Sequence, residues 1–497
     1  MSAERTAATE LAPVEPRDEG GPHIHAPAVF GARVGGPFFL PIPTTGERPL
    51  RFSAEGLPDG LTIDEHTGVI TGRTDRAGET TIRVTATNAH GTDEKAIQLV
   101  VGGRLALAPP LGWNSWNCWG ASVDAAKVRA AAEAMVSTGL AAHGYNYVNI
   151  DDGWQGERGP GAPGLGALQP NEKFPDMKGL CDHVHSLGLR IGIYSTPWVK
   201  SYAGYNGGST GKCIKGGLSE DIQRGRYIGE TPYHTEDARQ WAEWGIDYLK
   251  YDWGPWEVED VRAMAEALNA CGRDIVYSLS NCAPFPQAGE WARLANCWRT
   301  TGDIFDEWEN MSSIGFTQDR WTPYGGPGHW NDPDMLVVGR LGWGEVRENR
   351  LTRDEQITHI TLWALLAAPM LIGCDMTSLD QDFTLRLLCN DEMLQVNQDP
   401  LGRQGWCLRE VSRADPSGRP MHHAHVYVRP LHDGALAVGF FNRGPEAATV
   451  EVTWAELEIE GTRNVRDIWA RKDVGRAEDR LAVDVPPHGA QFVRISG

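Results

Sequence analysis

Residues 248–280 read YLKYDWGPWEVEDVRAMAEALNACGRDIVYSLS. An apolar strand-like run (YLKYDWG) passes into an amphipathic helical run, Val258–Ala270, and then into a second strand-like run, IVYSLS. A helix set between two strands is the unit of a parallel sheet, because parallel neighbours cannot be joined by a tight turn. The same unit recurs in both directions. Upstream stand PLGWNSW (110–116), a helical run Val123–Leu140, YVNIDDGW (147–154), a run Met177–Leu187, RIGIYSTP (190–197) and a run His234–Trp244. Downstream follow Gly289–Ala295, CWRTTGDI (297–304), GHWNDPDML (328–336), Arg353–Ala368 and MLIGCD (370–375). Eight strand-like runs over roughly 290 residues predict an α/β fold, a (β/α)8 barrel spanning 103–402. A doubly wound sheet alternates in the same way but with fewer repeats, and no GxGxxG turn follows the first strand.

The flanks have a different rhythm. Residues 1–25 are polar, charged and rich in Pro and Gly, which predicts a disordered tail. Over 26–102, short runs such as GVITGRT, TTIRVTATNAHGT and KAIQLVV alternate between turns, predicting a small β-sandwich that resembles the bacterial Ig-like modules found beside sugar-active domains. From 403 to 497 the helical period is gone, and AHVYVRPL, GALAVGFFNRG, ATVEVTWAEL and GAQFVRISG predict a C-terminal antiparallel β-sandwich.

Composition narrows the partners. The 497 residues carry 66 acidic against 46 basic side chains, a formal charge of −20, which argues against nucleic acid or an anionic membrane. No stretch of eighteen apolar residues spans a bilayer. The N-terminus as written has no apolar signal core, and the nine cysteines are scattered without CxxC spacing. A cytoplasmic protein with reduced thiols is expected, or a secreted one if a signal has been trimmed. Nineteen tryptophans suit a carbohydrate partner, since indole faces stack on the C–H faces of sugars, but large cores use tryptophan too. Oligomeric state is not legible.

In a barrel of this type, chemistry sits at the C-terminal strand ends. Acidic residues gather there: Asp151 and Asp152, Asp252, Asp303, Asp332 and Asp334. Lys250 lies two residues before Asp252, so a strand points both to one face. Two carboxylates facing each other across an acetal are the requirement of glycoside hydrolysis, one attacking the anomeric carbon and one protonating the leaving oxygen. Lys250 favours an ionised Asp252 by proximity. Spacing leaves open which aspartate does which, and single strand-end acids also serve as helix caps or arginine partners.

Six of these motifs in this order, PPLGWNSWNCWG, NIDDGWQ, GIYSTP, YLKYDWG, WRTTGDI and GHWNDPDML, resemble glycoside hydrolase family 27, the α-galactosidases and α-N-acetylgalactosaminidases. The resemblance implies a retaining exo-glycosidase acting on terminal α-D-galactosides, with Asp252 as nucleophile and Asp303 as acid/base. It also implies that Asp151 and Asp152 hold the 6- and 4-hydroxyls, Lys250 the 3- and 4-hydroxyls and Arg299 the region of the 2-hydroxyl. Tyr194 would line the pocket, Trp116 would form its apolar wall and Asp334 its rim. No cofactor or metal is implied.

The chain departs from the family at two places. Where many members carry Asn-Cys after the KYD motif, Trp253 and Gly254 stand here, so that disulfide cannot form; Trp253 and Trp256 are either a stacking wall or core. After the fifth strand, YSLSNCAP places Ser280 and Ala283 where galactose-specific relatives carry Glu and Leu. Small residues there leave room for an acetamido group, so α-N-acetylgalactosaminidase is the alternative, and β-L-arabinopyranosidase a further one that Asp151 disfavours. A non-catalytic sugar-binding protein would have lost one of the two aspartates, and an adhesive protein would show tandem modules and a secretion signal. The HIH at 23–25 and HHAH at 422–425 are read as non-metal, Cys297 as a buried structural thiol, and EDARQ (236–240) as a solvated helix face.

Overall fold

The computed structural model describes residues 9–14, 17–161, 164–414 and 420–497. Eight short parallel strands form its centre: β1 (Leu111–Asn114), β2 (Tyr147–Asn149), β3 (Arg190–Ser195), β4 (Tyr248–Asp252), β5 (Val276–Ser280), β6 (Cys297–Arg299), β7 (Trp330–Asp332) and β8 (Met370–Ile372). They pair in sequence order, β8 returns to β1 through Leu111↔Met370, and a parallel bridge Leu336↔Ile372 joins the segment after β7 to β8. All eight expected strand runs are therefore strands of one curled parallel sheet.

The two-residue period of each strand builds the barrel interior. Tyr147, Tyr248, Val276 and Leu371 meet near the N-terminal strand ends in a buried cluster with Leu105 and Met335. One step up, Asn149 and Lys250 point inward, and one step further stand Asp151 and Asp252. Gly192 makes room in the middle layer: a Cβ there would lie 2.1 Å from Asn149 Oδ1. The first barrel helix, Ala125–Ser137, begins where Asp124 Oδ1 accepts the Lys127 amide at 2.8 Å, and ends before Gly139 at φ +92°.

Two hairpins interrupt the alternation, 155–161/164–170 after β2 and 209–216/227–232 after β3. The first docks on helix His234–Trp244 through Arg158, whose guanidinium donates to both carboxylate oxygens of Asp237 at 2.8 Å. This corrects the reading of EDARQ as a solvated face: Asp237 and Gln240 are buried, because Asp237 has a partner 79 residues earlier in the chain.

The N-terminal module packs a four-stranded sheet on a three-stranded one around Phe52, Ile70, Ile82, Val84 and Ile97. It sits under the barrel floor. Arg33 N meets Asp274 just before β5 at 3.2 Å, and the Arg190 guanidinium at the start of β3 donates to Phe39 O. At the C-terminus, a six-stranded sheet and the 448–453/480–485 pair enclose Val426, Phe440, Val452, Trp454 and Val493. Buried Arg429 ties this sandwich to the barrel by donating to Ala364 O at 2.7 Å.

The expected disordered tail is corrected over its described part. Ala12 N donates to Trp469 O at 2.8 Å and Thr9 Oγ1 to Ala490 O at 3.1 Å, while Leu11 and Val14 pack on the main core. His23–Ile24 then pairs with Thr44–Thr45. Polar composition hid two apolar anchors. Residues 1–8 and 15–16 of that tail lie outside the described residues. All nine cysteines are free, and no described helix is long and apolar enough to cross a membrane.

Candidate active site

The C-terminal ends of the strands converge on a carboxylate-rich pocket. Asp151, just past β2, is buried; its Oδ2 accepts from Lys250 Nζ at 2.8 Å and from Asn114 Nδ2 at 2.9 Å. Asp152 beside it accepts from Ala203 N and Gln155 Nε2, each at 2.9 Å. Three strand ends thus fix two acids and one lysine at adjacent points, and Lys250 also lies 5.6 Å from the Tyr194 ring centroid. Tyr194 Oη and Arg299 Nε are buried without a hydrogen-bond partner among the described residues. Buried polar groups of that kind are costly unless a polar ligand completes them.

Asp252 closes β4, buried, with Oδ1 accepting from Asn281 Nδ2 at 2.8 Å. Asn281 holds that pose at φ +73°, a left-handed conformation that asparagine tolerates better than most residues. On the opposite side, Arg299 of β6 reaches Asp334 Oδ2 at 2.8 Å and Asp303 Oδ1 at 3.1 Å. Asp334, at φ +90°, also accepts the Ile304 and Met335 amides at 2.9 and 2.8 Å. Asp303 is unlike the other acids, with 59% of its side chain exposed.

Charges follow from this geometry. Burial, opposed by Lys250 and reinforced by the charge of Asp303, pushes Asp252 up to about 7. Burial also acts on Asp303, but Arg299 and Lys250 outweigh it and hold that carboxyl below its ordinary value. Burial lifts Asp332 to about 6 against Arg299. The direction at Asp252 is the reverse of what its proximity to Lys250 alone suggests, because complete burial outweighs one ammonium already shared with Asp151. In the free pocket, the buried acid is the favoured seat of the proton and the exposed one is ionised.

Trp116 stands half-buried at the start of the first short helix, against the barrel-interior cluster. Ser280 ends β5 opposite Asp252 in register, and the Ala283 amide donates to Arg299 O at 2.8 Å, so the backbone sets both small residues next to those two. Trp253 and Trp256 are buried, 5.7 Å apart, and belong to the core. Sequence reasoning missed Asn281 and Tyr202. Tyr202 is half-buried and directly precedes Ala203, whose amide holds Asp152, and burial and then the charge of Asp252 raise its phenol. An asparagine directly after a strand was a usable signal for the first; Tyr202 lies in a loop and had none. At the rim, Phe305 is 43% exposed and its ring centroid lies 5.3 Å from that of Trp343. A separate cavity of about 660 Å³ lies at the other end of the barrel, between the module and the floor, away from these carboxylates.

A (β/α)8 barrel whose open end brings together carboxylates, a lysine, a buried tyrosine hydroxyl without a partner among the described residues and an arginine with one donor left over has the build of a glycoside hydrolase. The "Alpha galactosidase A" family model matches residues 108–217 and 209–399. The model of the α-galactosidase C-terminal β-sandwich domain matches 422–495, and an Ig-domain model matches 21–102. Alpha-galactosidase 2 of Arabidopsis thaliana is 35% identical over 405 residues, covering 80% of this chain and 92% of the plant protein. A solved structure of a candidate α-galactosidase/melibiase from Bacteroides fragilis superposes with a TM-score of 0.83 at 34% identity, covering 97% of this chain and 99% of that one. A β-L-arabinopyranosidase of glycoside hydrolase family 27 from Geobacillus stearothermophilus superposes at 0.64 and 27% identity, covering 79% and 97%. The chain belongs to the α-galactosidase A family, glycoside hydrolase family 27.

Proposed function

We propose that the protein is a retaining exo-glycosidase that hydrolyses terminal α-D-galactosides, with Asp252 as nucleophile and Asp303 as acid/base. The observation that carries this is the asymmetric pair: a buried carboxylate held by Asn281 at the pocket base, and an exposed one tethered by Arg299 at the rim. The exposed position suits a group that meets the leaving oxygen and later water. The α-galactosidases among the relatives support the sugar.

The reaction begins when the aglycone covers Asp303. Loss of water raises its proton affinity, while Lys250 and the sugar hydroxyls stabilise charge on Asp252, so the proton of the pair moves to the rim. Asp303 then protonates the glycosidic oxygen as an Asp252 oxygen attacks C1, giving an inverted glycosyl ester and the free aglycone. Asp303, now ionised, takes a proton from water as that water attacks C1, and the ester bond to Asp252 breaks. Two inversions retain the configuration. Asp151, Asp152 and Lys250 form one face for the 3-, 4- and 6-hydroxyls, Arg299 and Asp334 form the face near the 2-hydroxyl, and Tyr194 and Trp116 wall the ring.

A second reading rests on Ser280 and Ala283, whose small side chains beside Arg299 leave space at the 2-position for an acetamido group. A panel of nitrophenyl α-galactoside, α-N-acetylgalactosaminide and β-L-arabinopyranoside separates these readings. Turnover of the first with α-galactose as first product is expected, and Asp252→Ala should lower it by about three orders of magnitude or more with the fold intact. Preference for the acetamido sugar would hand specificity to Ser280 and Ala283; full activity of Asp252→Ala would overturn the mechanism.

A further inference from the structure

Outside the barrel mouth, three ligand-type atoms meet on one face of the C-terminal sandwich. Strands Trp406–Ala414 and Pro420–Pro430 run antiparallel with Glu410 opposite His425 and Ser412 opposite His423. Two-residue alternation puts His423 and His425 on the same face, and the register puts the Glu410 carboxylate against them. His423 Nε2 lies 3.0 Å from Glu410 Oε1 and 2.9 Å from His425 Nε2, and His425 Nε2 lies 4.0 Å from the same oxygen.

One ring nitrogen carries either a proton or a lone pair, directed along one line. His423 Nε2 therefore cannot make two good hydrogen bonds, to a carboxylate and to a second imidazole. A cation between the three atoms would satisfy all of them at once. Tetrahedral zinc with bonds of about 2.0–2.2 Å separates its ligand atoms by about 3.3 Å, and the three distances bracket that value. Glu410 is exposed, which leaves a side open for water.

We propose that Glu410, His423 and His425 form a binding site for one divalent transition-metal ion of the zinc class, with water completing the coordination. The ion clamps the two strands of this hairpin. His425 also packs 4.9 Å from the Phe316 ring, next to barrel helix Trp308–Gly315, so the clamp stiffens the joint between sandwich and barrel. The site competes with a resident cation. Arg443 Nη1 stands 3.4 Å from His425 Nε2 and stacks on Phe316, and it swings aside when metal binds. The proposal is independent of the glycosidase reading, and activity is not its readout.

The test is calorimetric titration of Zn²⁺ into the chelator-stripped, dialysed full chain, together with thermal unfolding with and without the ion. One equivalent should bind in the micromolar range or tighter, and zinc should raise the Tm. Glu410→Gln and His423→Gln, both at solvent-accessible positions that should leave the fold unchanged by circular dichroism, should each weaken that equivalent about tenfold or more and remove the Tm shift. Arg443→Gln should bind zinc at least as tightly as wild type. Absence of zinc binding to the wild-type chain, or undiminished binding in both ligand variants, would overturn the site.

Discussion

At the scale of single residues, the proposed mechanism divides the labour between two aspartates that differ mainly in exposure. In the proposed mechanism the two carry one proton between them, and the charge of Asp303 adds to the burial that raises Asp252, so activity follows the pair. With one proton on the pair, catalysis is possible; with none, no acid remains. The last proton leaves near the value to which burial lifts Asp252, about 7. We expect kcat/KM for an aryl α-galactoside to fall as pH rises through about 7, and Asp303→Asn to abolish that limb. A profile flat to pH 9 would contradict the shared proton. Lys250 and Asp252 were legible in the sequence because they stand two apart on one strand, so alternation puts both on the inner face, whereas Asp152, Asp303 and Asp334 lie past the ends of their strands and are placed by loops. The proton's resting place was not legible, because it depends on how deeply Asp252 is buried, and Lys250 beside it in the chain spends its closest contact on Asp151.

At the scale of elements, the strand runs are readable because a parallel strand covered on both faces is a short apolar block, and eight such blocks can close only in a few ways. The two inserted hairpins were not readable. Their turns and pairs are irregular, with register shifts in both, and their polar strands carry no period. The Arg158–Asp237 contact shows the cost of reading one helix alone: a charge that scans as solvated is buried by an element from elsewhere. Asp237→Ala leaves the Arg158 guanidinium, itself only 10% exposed, without its counter-charge. Removing one partner of a buried pair costs about 3–5 kcal/mol. We expect a corresponding loss in chemical denaturation, with KM for the aryl glycoside nearly unchanged because the pair lies on the outer side of the barrel wall. The same blindness hid the 410–423–425 cluster, since nothing in HHAH points to Glu410 and only the register of the hairpin brings it there.

At the scale of the whole molecule, three units share one chain and are tied by a few polar stitches. The N-terminal segment is one of them: residues 9–14 lie on the C-terminal sandwich before the chain crosses to the module under the barrel. Deleting residues 1–14 removes the Thr9 and Ala12 hydrogen bonds and the Leu11 and Val14 contacts. Partial burial of two such side chains is worth about 1–3 kcal/mol, so the Tm should drop by a few degrees while kcat/KM stays at the wild-type value. An unchanged Tm would mean that this segment only lies on the surface.

The module's contacts, Arg33 with Asp274 and Phe39 with Arg190, all fall at the N-terminal ends of barrel strands, at the far end from Asp252 and Asp303. The module is a pedestal. Coupled to a bead or electrode through an exposed side chain of its outer strands, the protein would turn its pocket toward the flowing solution rather than toward the support.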